Sequence, residues 1–350
     1  MKIAFVNDTF LEGRGVDTVI YEVARRLGKR HEVFVISSKS DFPEDNFKKI
    51  DIPGKKLLTG NTLKDSFSYF PNISKFKRGI SKLNNQYGFE IINVHHSSLN
   101  PATGNLQTIV TWNGNPLSKN RIRNFFNRIL LGRLRRNKVS VTISNYLKEK
   151  LSESAPRENI RVVYCGVSEE FKPTYEDKEY ILFVGRFEEH KRIQELILLS
   201  KKLDYPVYLV GTGPLEERLK SYAKKIGANK VVFTGRVDRK ELIGLYQNCS
   251  FFVSGSKWEG FGLIFLEAAA CAKPSIGYSK GSIPEVIKEG ETGYLVNSFE
   301  SLKEKAEILI RDKKLRKSMG KEALKFSKGF SWDNCVEKYE NIFMEVKNGS

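Results

Sequence analysis

Short apolar runs alternate with amphipathic segments along the chain, and this alternation limits the possible folds more than any other feature of the sequence. Runs such as Ile3–Val6, Ile91–Val94 and Ile181–Val184 have the length of buried strands, whereas Val16–Leu27 has the spacing of an amphipathic helix. Because alternating strands and helices build parallel sheets covered by helices, the pattern predicts an α/β protein. Further strands are predicted at Val33–Ile36, Thr108–Thr111, Val139–Thr142, Ile160–Val163, Val207–Val210, Val231–Phe233, Phe251–Val253 and Pro274–Gly277.

A chain of 350 residues is long enough for two domains. Turn residues and then charges follow Val163, so residues 166–178 are predicted to be a linker. An N-terminal domain would then span residues 1–165 and a C-terminal domain residues 179–330. The layout fits two Rossmann-like domains whose parallel sheets face a central cleft, with ligands bound at the carboxyl ends of the strands.

The chain has a net charge of +18, and the excess is concentrated in its first half. Residues 1–170 hold 28 Lys and Arg against 16 Asp and Glu. Such a field attracts anions, which include nucleic acid, phospholipid surfaces and phosphorylated substrates. A basic protein without a dedicated anionic partner remains the alternative.

Composition argues against several classes of protein. No stretch reaches the roughly 20 apolar residues that a membrane span needs, and the N-terminus has the pattern of a strand rather than a signal peptide. The four cysteines are far apart in sequence, which favours a reducing cytosol over a disulfide framework or a structural zinc site. Abundant Lys and Glu with few Met and Gln indicate a thermophile.

A first motif with chemical meaning follows the predicted strand Ile181–Val184. Gly185 ends the strand, and Arg186 and Lys191 bracket the turn into the next helix. Two cations beside a helix N-terminus suit a diphosphate, because backbone N–H groups and the helix dipole also favour an anion there. Two solvated surface cations near a turn would have the same sequence, so the motif alone leaves both interpretations open.

A second motif follows the predicted strand Phe251–Val253. Glu259 and Glu267 lie eight residues apart, with Gly260 and Gly262 between them and a helix predicted from about residue 263. Glycines permit a tight turn and the close approach of a ligand to the backbone. The two carboxylates could therefore hold hydroxyls at two ends of one ligand, whereas a helix cap with an exposed Glu is the structural alternative.

With these motifs the chain resembles glycosyltransferase family 4, whose fold is called GT-B. The segment from Glu259 to Glu267 is similar to the EX7E motif of that family, and Gly185-Arg186 with Lys191 is similar to its diphosphate clamp. Residues 281–287 resemble a GG-x-PE-x-I stretch, with Ser282 in place of the second glycine. Residues 290–296 resemble the G-x-x-G-x-L-V stretch that follows it.

The resemblance implies an enzyme, a retaining glycosyltransferase. It would move a sugar from a nucleoside-diphosphate-sugar, a UDP- or GDP-sugar, to a hydroxyl of a glycan or lipid-linked acceptor. The donor would bind the C-terminal domain and the acceptor the N-terminal domain, which a C-terminal helix at 331–348 would rejoin. No metal and no other cofactor is expected.

The resemblance also implies roles for individual residues. Arg186 and Lys191 would neutralise the leaving diphosphate, and they form the expected catalytic group with Glu259, which would orient the sugar hydroxyls. Glu267 would bind the ribose hydroxyls, and the backbone of Val237 would contact the base. The backbone of three more residues would contact sugar and phosphate: Phe261, Gly262 and Leu263.

The N-terminal half resembles the family less closely. Gly15 lies in a loop similar to the family's GG-x-E/D loop and would let backbone approach the donor phosphate. His95 matches the second His of a D-x-x-H-x-H strand end, in which Asn93 replaces the first. Asn113 stands where many relatives carry a His that touches the donor sugar, so a changed sugar preference and a loss of activity are both open. His95 and Asn113 are the candidates for the acceptor or sugar side.

Residues 121–138 carry seven cations, and apolar residues recur among them at helical spacing. We expect a helix at Arg121–Arg136, and its basic face is a candidate contact for an anionic membrane surface beside the acceptor. The enzyme would then be cytoplasmic and peripheral on the inner face of the membrane. No specific nucleic-acid module is recognised. A catalytically impaired homologue that acts as a scaffold for anionic partners and a nucleotide-sugar epimerase are the alternatives.

Overall fold

The chain divides into two compact units in a computed structural model that describes residues 1–11, 15–52, 62–95, 102–103, 106–113, 139–153 and 156–349. Unit 1 comprises Met1–Cys165 and Trp332–Ser350, and unit 2 comprises Gly166–Ser331. Each unit is built around its own parallel sheet.

Thirteen strands lie in the described part of the chain. They are β1 (Lys2–Val6), β2 (Glu32–Ser37), β3 (Lys48–Asp51), β4 (Ile91–Val94), β5 (Thr108–Trp112), β6 (Ser140–Thr142), β7 (Ile160–Val162), β8 (Ile181–Val184), β9 (Val207–Val210), β10 (Val231–Gly235), β11 (Phe251–Ser254), β12 (Ser275–Tyr278) and β13 (Gly293–Val296).

Eleven α-helices are found over the same residues. They are α1 (Gly15–Leu27), α2 (Thr62–Tyr87), α3 (Asn145–Ser152), α4 (Ile193–Leu203), α5 (Glu216–Ile226), α6 (Arg239–Asn248), α7 (Leu263–Ala270), α8 (Ile283–Val286), α9 (Phe299–Arg311), α10 (Lys313–Ser327) and α11 (Trp332–Lys347). The predicted helix at Arg121–Arg136 lies outside the described residues.

The strands of unit 1 pair in the order β3-β2-β1-β4-β5-β6-β7, and every pairing among the described residues is parallel. Strand β1 is central: Ile3 lies opposite Val33 of β2 and Ile91 of β4. Residues 3–6 are fully buried, which explains why β1 is an unbroken apolar run rather than an alternating one.

The strands of unit 2 pair in the order β10-β9-β8-β11-β12-β13, again in parallel, and every residue of this unit is described. Helix α4 buries Ile193, Leu196 and Ile197, whose spacing places them on one face, against a core that includes Phe183 and Phe251. The two sheets confirm the predicted α/β class, and the predicted strands agree with the observed ones to within two residues at each end.

Helix α11 packs within unit 1, because its apolar face is buried there. Trp332, Tyr339 and Phe343 are almost completely buried, and the ring of Phe343 lies 6.1 Å from that of Phe5. Ion pairs add to this contact at the helix surface, including Arg161 with Glu345 at 2.8 Å.

Residues 166–178, which the sequence predicts to be a linker, are hydrogen-bonded within unit 2. The N–H of Val167 donates to the carbonyl of Phe330 at 2.9 Å, and the side chain of Gln247 donates to the carbonyl of Lys172 at 2.9 Å. Asp177 accepts from Ser250 at 2.6 Å. In the parts of the chain that the structure describes, no helix combines the length and apolar character needed to cross a bilayer.

Candidate functional site

Glycine follows two neighbouring strands of unit 2, β8 and β9, and ends the next strand of the sheet, β10, at the same edge. The N–H of Gly185 donates to Val210 at 3.0 Å, and the N–H of Gly211 donates to Gly235 at 2.8 Å. Gly211 has a φ of +128°, and a Cβ there would lie 2.1 Å from the Gly185 carbonyl oxygen. At these positions the edge therefore has backbone atoms and no side chains. It lies at the carboxyl end of a parallel sheet, where ligands commonly bind.

The loop after β8 brings Lys191 against the loop after β11. Residues Glu189–Lys191 form one 3-10 turn, Arg192 adopts a φ of +48°, and α4 then begins. A Cβ at Gly255 would lie 2.9 Å from the carbonyl oxygen of Lys191, so only glycine allows this approach of the two loops.

Lys191 and Glu259, which the two motifs supply separately, form an ion pair at this point. The Nζ of Lys191 lies 2.6 Å from Oε1 of Glu259, and each side chain is 13% exposed. A charge-assisted contact with little exposure is better shielded from solvent than a surface pair. The structure therefore joins the cation of the first motif to the first carboxylate of the second.

Arg186 is placed differently. Its side chain is 63% exposed, and its Nε lies 2.7 Å from Oε1 of Glu188 rather than at Glu259. The second oxygen of Glu188 lies 3.4 Å from Nδ1 of His190, whose ring stacks on that of Trp258 at 5.5 Å. Burial and the charge of Lys191 lower the pKa of His190. Three residues without a predicted role lie inside or beside the two motifs: Glu188, His190 and Trp258.

The loop that carries Glu259 is held by the loop between β12 and α8. The hydroxyl of Ser282 lies 2.9 Å from the carbonyl oxygens of both Glu259 and Phe261. Gly262 has a φ of +104°, and α7 begins at the next residue, Leu263. The backbone of Phe261, Gly262 and Leu263 thus forms the turn into α7, as the second motif predicts.

Glu267 lies on α7, one turn beyond its start, and beside helix α6. Burial raises the pKa of the Glu267 carboxyl to about 7, while the nearby Tyr246 hydroxyl and the charge of Arg239 act in the opposite direction. Val237 is partly buried in the turn between β10 and α6, where Asp238 caps the helix by accepting from the N–H of Glu241 at 2.8 Å. Arg239 is the first residue of α6 and pairs with Glu170 at 2.9 Å, so it acts on Glu267 only through its charge.

His95 and Asn113 lie together in unit 1, where β4 and β5 end side by side. Nδ2 of Asn113 lies 3.4 Å from Nδ1 of His95 and donates to the His95 carbonyl at 3.3 Å. Burial lowers the pKa of His95 to about 3, so its imidazole is neutral at physiological pH. Nε2 of His95 and Oδ1 of Asn113 are buried without a hydrogen-bond partner among the residues that the structure describes.

Gly15 is exposed at the start of α1. Two residues further on, Asp17 has a structural role. Asp17 is buried and accepts from Asn7 Nδ2 at 2.7 Å and from the Leu11 N–H at 2.9 Å. The carboxylate thereby anchors the segment after β1. Asn93, the departure from the family pattern in β4, is buried and donates to Thr111 at 3.0 Å.

Models of two protein families match the chain. "Glycosyl transferases group 1" matches residues 156–326, and "Glycosyltransferase Family 4" matches residues 13–171. An uncharacterized glycosyltransferase of Methanocaldococcus jannaschii, MJ1178, is 31% identical over 301 residues, covering 79% of this chain and 84% of the relative. O-antigen chain mannosyltransferase C of Escherichia coli is 24% identical over 98% of both chains.

Solved structures match this chain over almost its whole length. Sucrose-phosphate synthase of Thermosynechococcus elongatus has a TM-score of 0.87 at 18% identity and is covered over 100% of both chains. Anabaena HepE in complex with UDP and glucose has a TM-score of 0.81 at 14% identity, with 99% of this chain and 100% of that chain covered. At these identities the likeness concerns the fold, which is GT-B. Together with the family models and the relative from Methanocaldococcus jannaschii, it places the chain in glycosyltransferase family 4, and the protein is a glycosyltransferase.

Proposed function

We propose that this glycosyltransferase is a retaining enzyme that transfers a sugar from a UDP- or GDP-sugar to a hydroxyl of a glycan or lipid-linked acceptor. The ion pair between Lys191 and Glu259 carries the proposal. The two residues come from motifs 68 positions apart, and their contact puts a phosphate-binding cation beside a carboxylate that can accept from sugar hydroxyls. A sugar joined to a diphosphate offers phosphate oxygens to the cation and hydroxyls to the carboxylate.

Catalysis in this proposal is mainly electrostatic. The nucleoside diphosphate gains charge as the bond to the sugar breaks, and Lys191 lies at a fixed position to stabilise that charge. Arg186 is exposed and paired with Glu188, so it would exchange that carboxylate for the diphosphate when the donor binds. Glu259 keeps two functions, since it orients Lys191 and accepts from the sugar hydroxyls.

Glu267 and the turn at Val237 would hold the nucleoside. An ionised carboxylate is a stronger acceptor for ribose hydroxyls than a protonated one. Because the pKa of Glu267 is raised to about 7 by burial, donor binding should strengthen as the pH rises through 7. The backbone of Val237 would contact the base, and backbone at Gly15, Phe261, Gly262 and Leu263 would contact phosphate and sugar.

Retention would follow from a front-face reaction in which the leaving phosphate takes the acceptor proton. His95 supports this assignment, because a histidine whose pKa is lowered to about 3 is a poor proton acceptor at neutral pH. His95 and Asn113 would instead orient a sugar or acceptor hydroxyl by hydrogen bonds. The reaction would need no metal, so activity should survive EDTA.

The acceptor would be reached from the cytoplasm, at the inner face of a membrane. Residues 121–138 supply seven cations for contact with anionic lipid. Binding to vesicles of anionic lipid at low salt tests this part of the proposal, and a protein that ignores such vesicles would contradict it.

The decisive experiment is a thermal-shift and hydrolysis panel with UDP-, GDP- and ADP-sugars on the wild type and on Lys191→Ala. We expect one nucleotide class to stabilise the wild type and to lose its effect in the variant. Lys230→Ala is the matched control, because Lys230 forms a 2.8 Å ion pair with Asp204 in the same unit, outside the two motifs. A wild type that no nucleotide stabilises would contradict the proposed function.

A further inference from the structure

One buried hydroxyl contacts the loop that carries Glu259 at two points. Ser282 is fully buried, and its Oγ lies 2.9 Å from the carbonyl oxygens of Glu259 and of Phe261. The preceding residue, Gly281, has a φ of +65°, and a Cβ there would lie 3.0 Å from the Glu259 nitrogen. The two loops therefore meet backbone to backbone, with the Ser282 hydroxyl as the side-chain donor between them.

The two carbonyl oxygens share the single proton of this hydroxyl, and both peptide groups direct their carbonyls towards Ser282. A trans peptide is planar, and its C=O and N–H point in opposite directions. Because the carbonyl of Glu259 faces Ser282, the N–H of Gly260 points away from Ser282 within the same peptide plane. The carbonyl of Phe261 likewise turns the N–H of Gly262 away from Ser282.

Both peptide groups adjoin a glycine. Gly260 and Gly262 lack the side chains that restrict backbone torsions, and Gly262 adopts a φ of +104°. Phe261 between them is buried, with its ring 5.9 Å from that of Phe330. The side chain of Phe261 is held by packing, and the contacts of the Glu259 and Phe261 carbonyls with Ser282 add a restraint on the orientation of the flanking peptides.

We propose that Ser282 is a positioning residue, which sets the peptide planes of Glu259–Gly260 and Phe261–Gly262 for the sugar end of the donor. The inference rests on the proposed function and adds to it a residue that stands where the family pattern has glycine. Ser282 acts through the loop and does not itself contact the donor. Its hydroxyl, rather than its size, is the part that matters.

The proposal separates two ligands that share a nucleotide. Glu267, Lys191 and Arg186 would hold the nucleoside diphosphate with or without a sugar. The loop from Glu259 to Gly262 would add contacts only when the sugar is present. Loss of the Ser282 hydroxyl should therefore weaken the sugar-nucleotide more than the nucleotide alone.

Isothermal titration of Ser282→Ala with UDP and UDP-glucose tests this, with GDP and GDP-mannose used instead if the wild type binds guanosine nucleotides. We expect the Kd of the sugar-nucleotide to rise about tenfold and that of the nucleotide to stay within about twofold. Ser282→Gly should show at least the same selective loss, because it also lacks the hydroxyl. Ser200→Ala is the matched control, since the buried Ser200 hydroxyl donates to the Tyr205 carbonyl at 2.8 Å at the far end of α4.

Each result has a defined meaning. An equal loss for both ligands, or a loss no larger than in Ser200→Ala, would show a general structural role and overturn the proposal. A Ser282→Gly variant that binds like the wild type would do the same. A wild type that binds neither nucleotide class would overturn the proposed function and this inference with it, and that outcome is distinct because it appears before any variant is made.

Discussion

The carboxyl edges of the two sheets hold the residues that the sequence singles out, and they differ in charge. In unit 2 the edge carries Lys191 paired with Glu259 and, on the adjoining α7, Glu267 with a raised pKa. In unit 1 the described part of the edge carries His95, which is neutral because burial lowers its pKa, and Asn113. One edge is suited to a diphosphate and the other to uncharged hydroxyls.

The comparison also shows that the net charge of a region does not indicate where a site with charged residues lies. Residues 1–170 hold the larger share of the excess of Lys and Arg. Yet the ion pair at the candidate donor site lies in unit 2, where two opposite charges cancel and add nothing to the net charge. A local arrangement of charges, rather than their sum, determines what a site can bind.

Loss of the cation in unit 2 should have the largest effect. Lys191→Ala removes the charge that we propose faces the diphosphate, and it leaves the carboxylate of Glu259, which is 13% exposed, without this partner. A charge-assisted hydrogen bond contributes about 1.5–3 kcal/mol, so kcat/KM for the donor should fall roughly 10- to 100-fold. Steady-state kinetics with the nucleotide-sugar identified by thermal shift measures this. Unchanged kinetics would show that the pair is only structural.

Loss of the second carboxylate, that of Glu267, should have a smaller effect on donor use than loss of Lys191. Glu267→Ala is expected to weaken donor use about tenfold, the equivalent of about 1.4 kcal/mol, because it removes the acceptor for the ribose hydroxyls. The loss should appear with the nucleoside diphosphate alone as well as with the sugar-nucleotide. Titration of both ligands measures it, and a loss confined to the sugar-nucleotide would place Glu267 at the sugar instead.

The raised pKa of Glu267 predicts that the stability of the fold falls as the pH rises, whereas donor binding is expected to strengthen. The folded protein keeps the proton up to about pH 7, whereas the unfolded chain releases it near pH 4.5, so this group stabilises the fold at low pH and that contribution is lost as the pH rises through 7. Glu267→Gln cannot ionise, and its Tm relative to the wild type should be about 3–5 °C higher at pH 8 than at pH 5. Thermal unfolding at the two pH values checks this. A Tm difference independent of pH would mean that the carboxyl titrates normally.

The smallest effect is expected in unit 1. His95→Gln keeps a donor and an acceptor at the end of β4, and a neutral His95 has no charge to lose. We expect the KM for the acceptor to change about threefold, with the donor Kd unaltered. A larger effect on the donor than that of Glu267→Ala would reverse the assignment of the two edges.

Much of the fold follows from the sequence because strand burial is local information. Fully buried stretches of strand such as Ile3–Val6 are continuous apolar runs, so their bounds can be predicted from the residues alone. Helix α2, at Thr62–Tyr87, is not among the elements that the sequence predicts. Its weakly amphipathic pattern, with Pro71 inside it, explains why.

The sequence by itself determined the two sets of alternating strands and helices and the residue types of the candidate site. Arg186, Lys191, Glu259 and Glu267 can all be identified from two short motifs and their spacing. This was possible because a phosphate-binding turn and a glycine-flanked carboxylate need neighbouring residues within one loop.

Only the tertiary structure decided which of these residues meet. It paired Lys191 with Glu259 and Arg186 with Glu188, gave Glu267 a raised pKa, and placed the Ser282 hydroxyl on the loop that carries Glu259. The physical reason is that neighbouring strands of a parallel sheet bring together loops that are far apart in the chain. Distances, desolvation and hydrogen bonds between those loops exist only after the strands have paired.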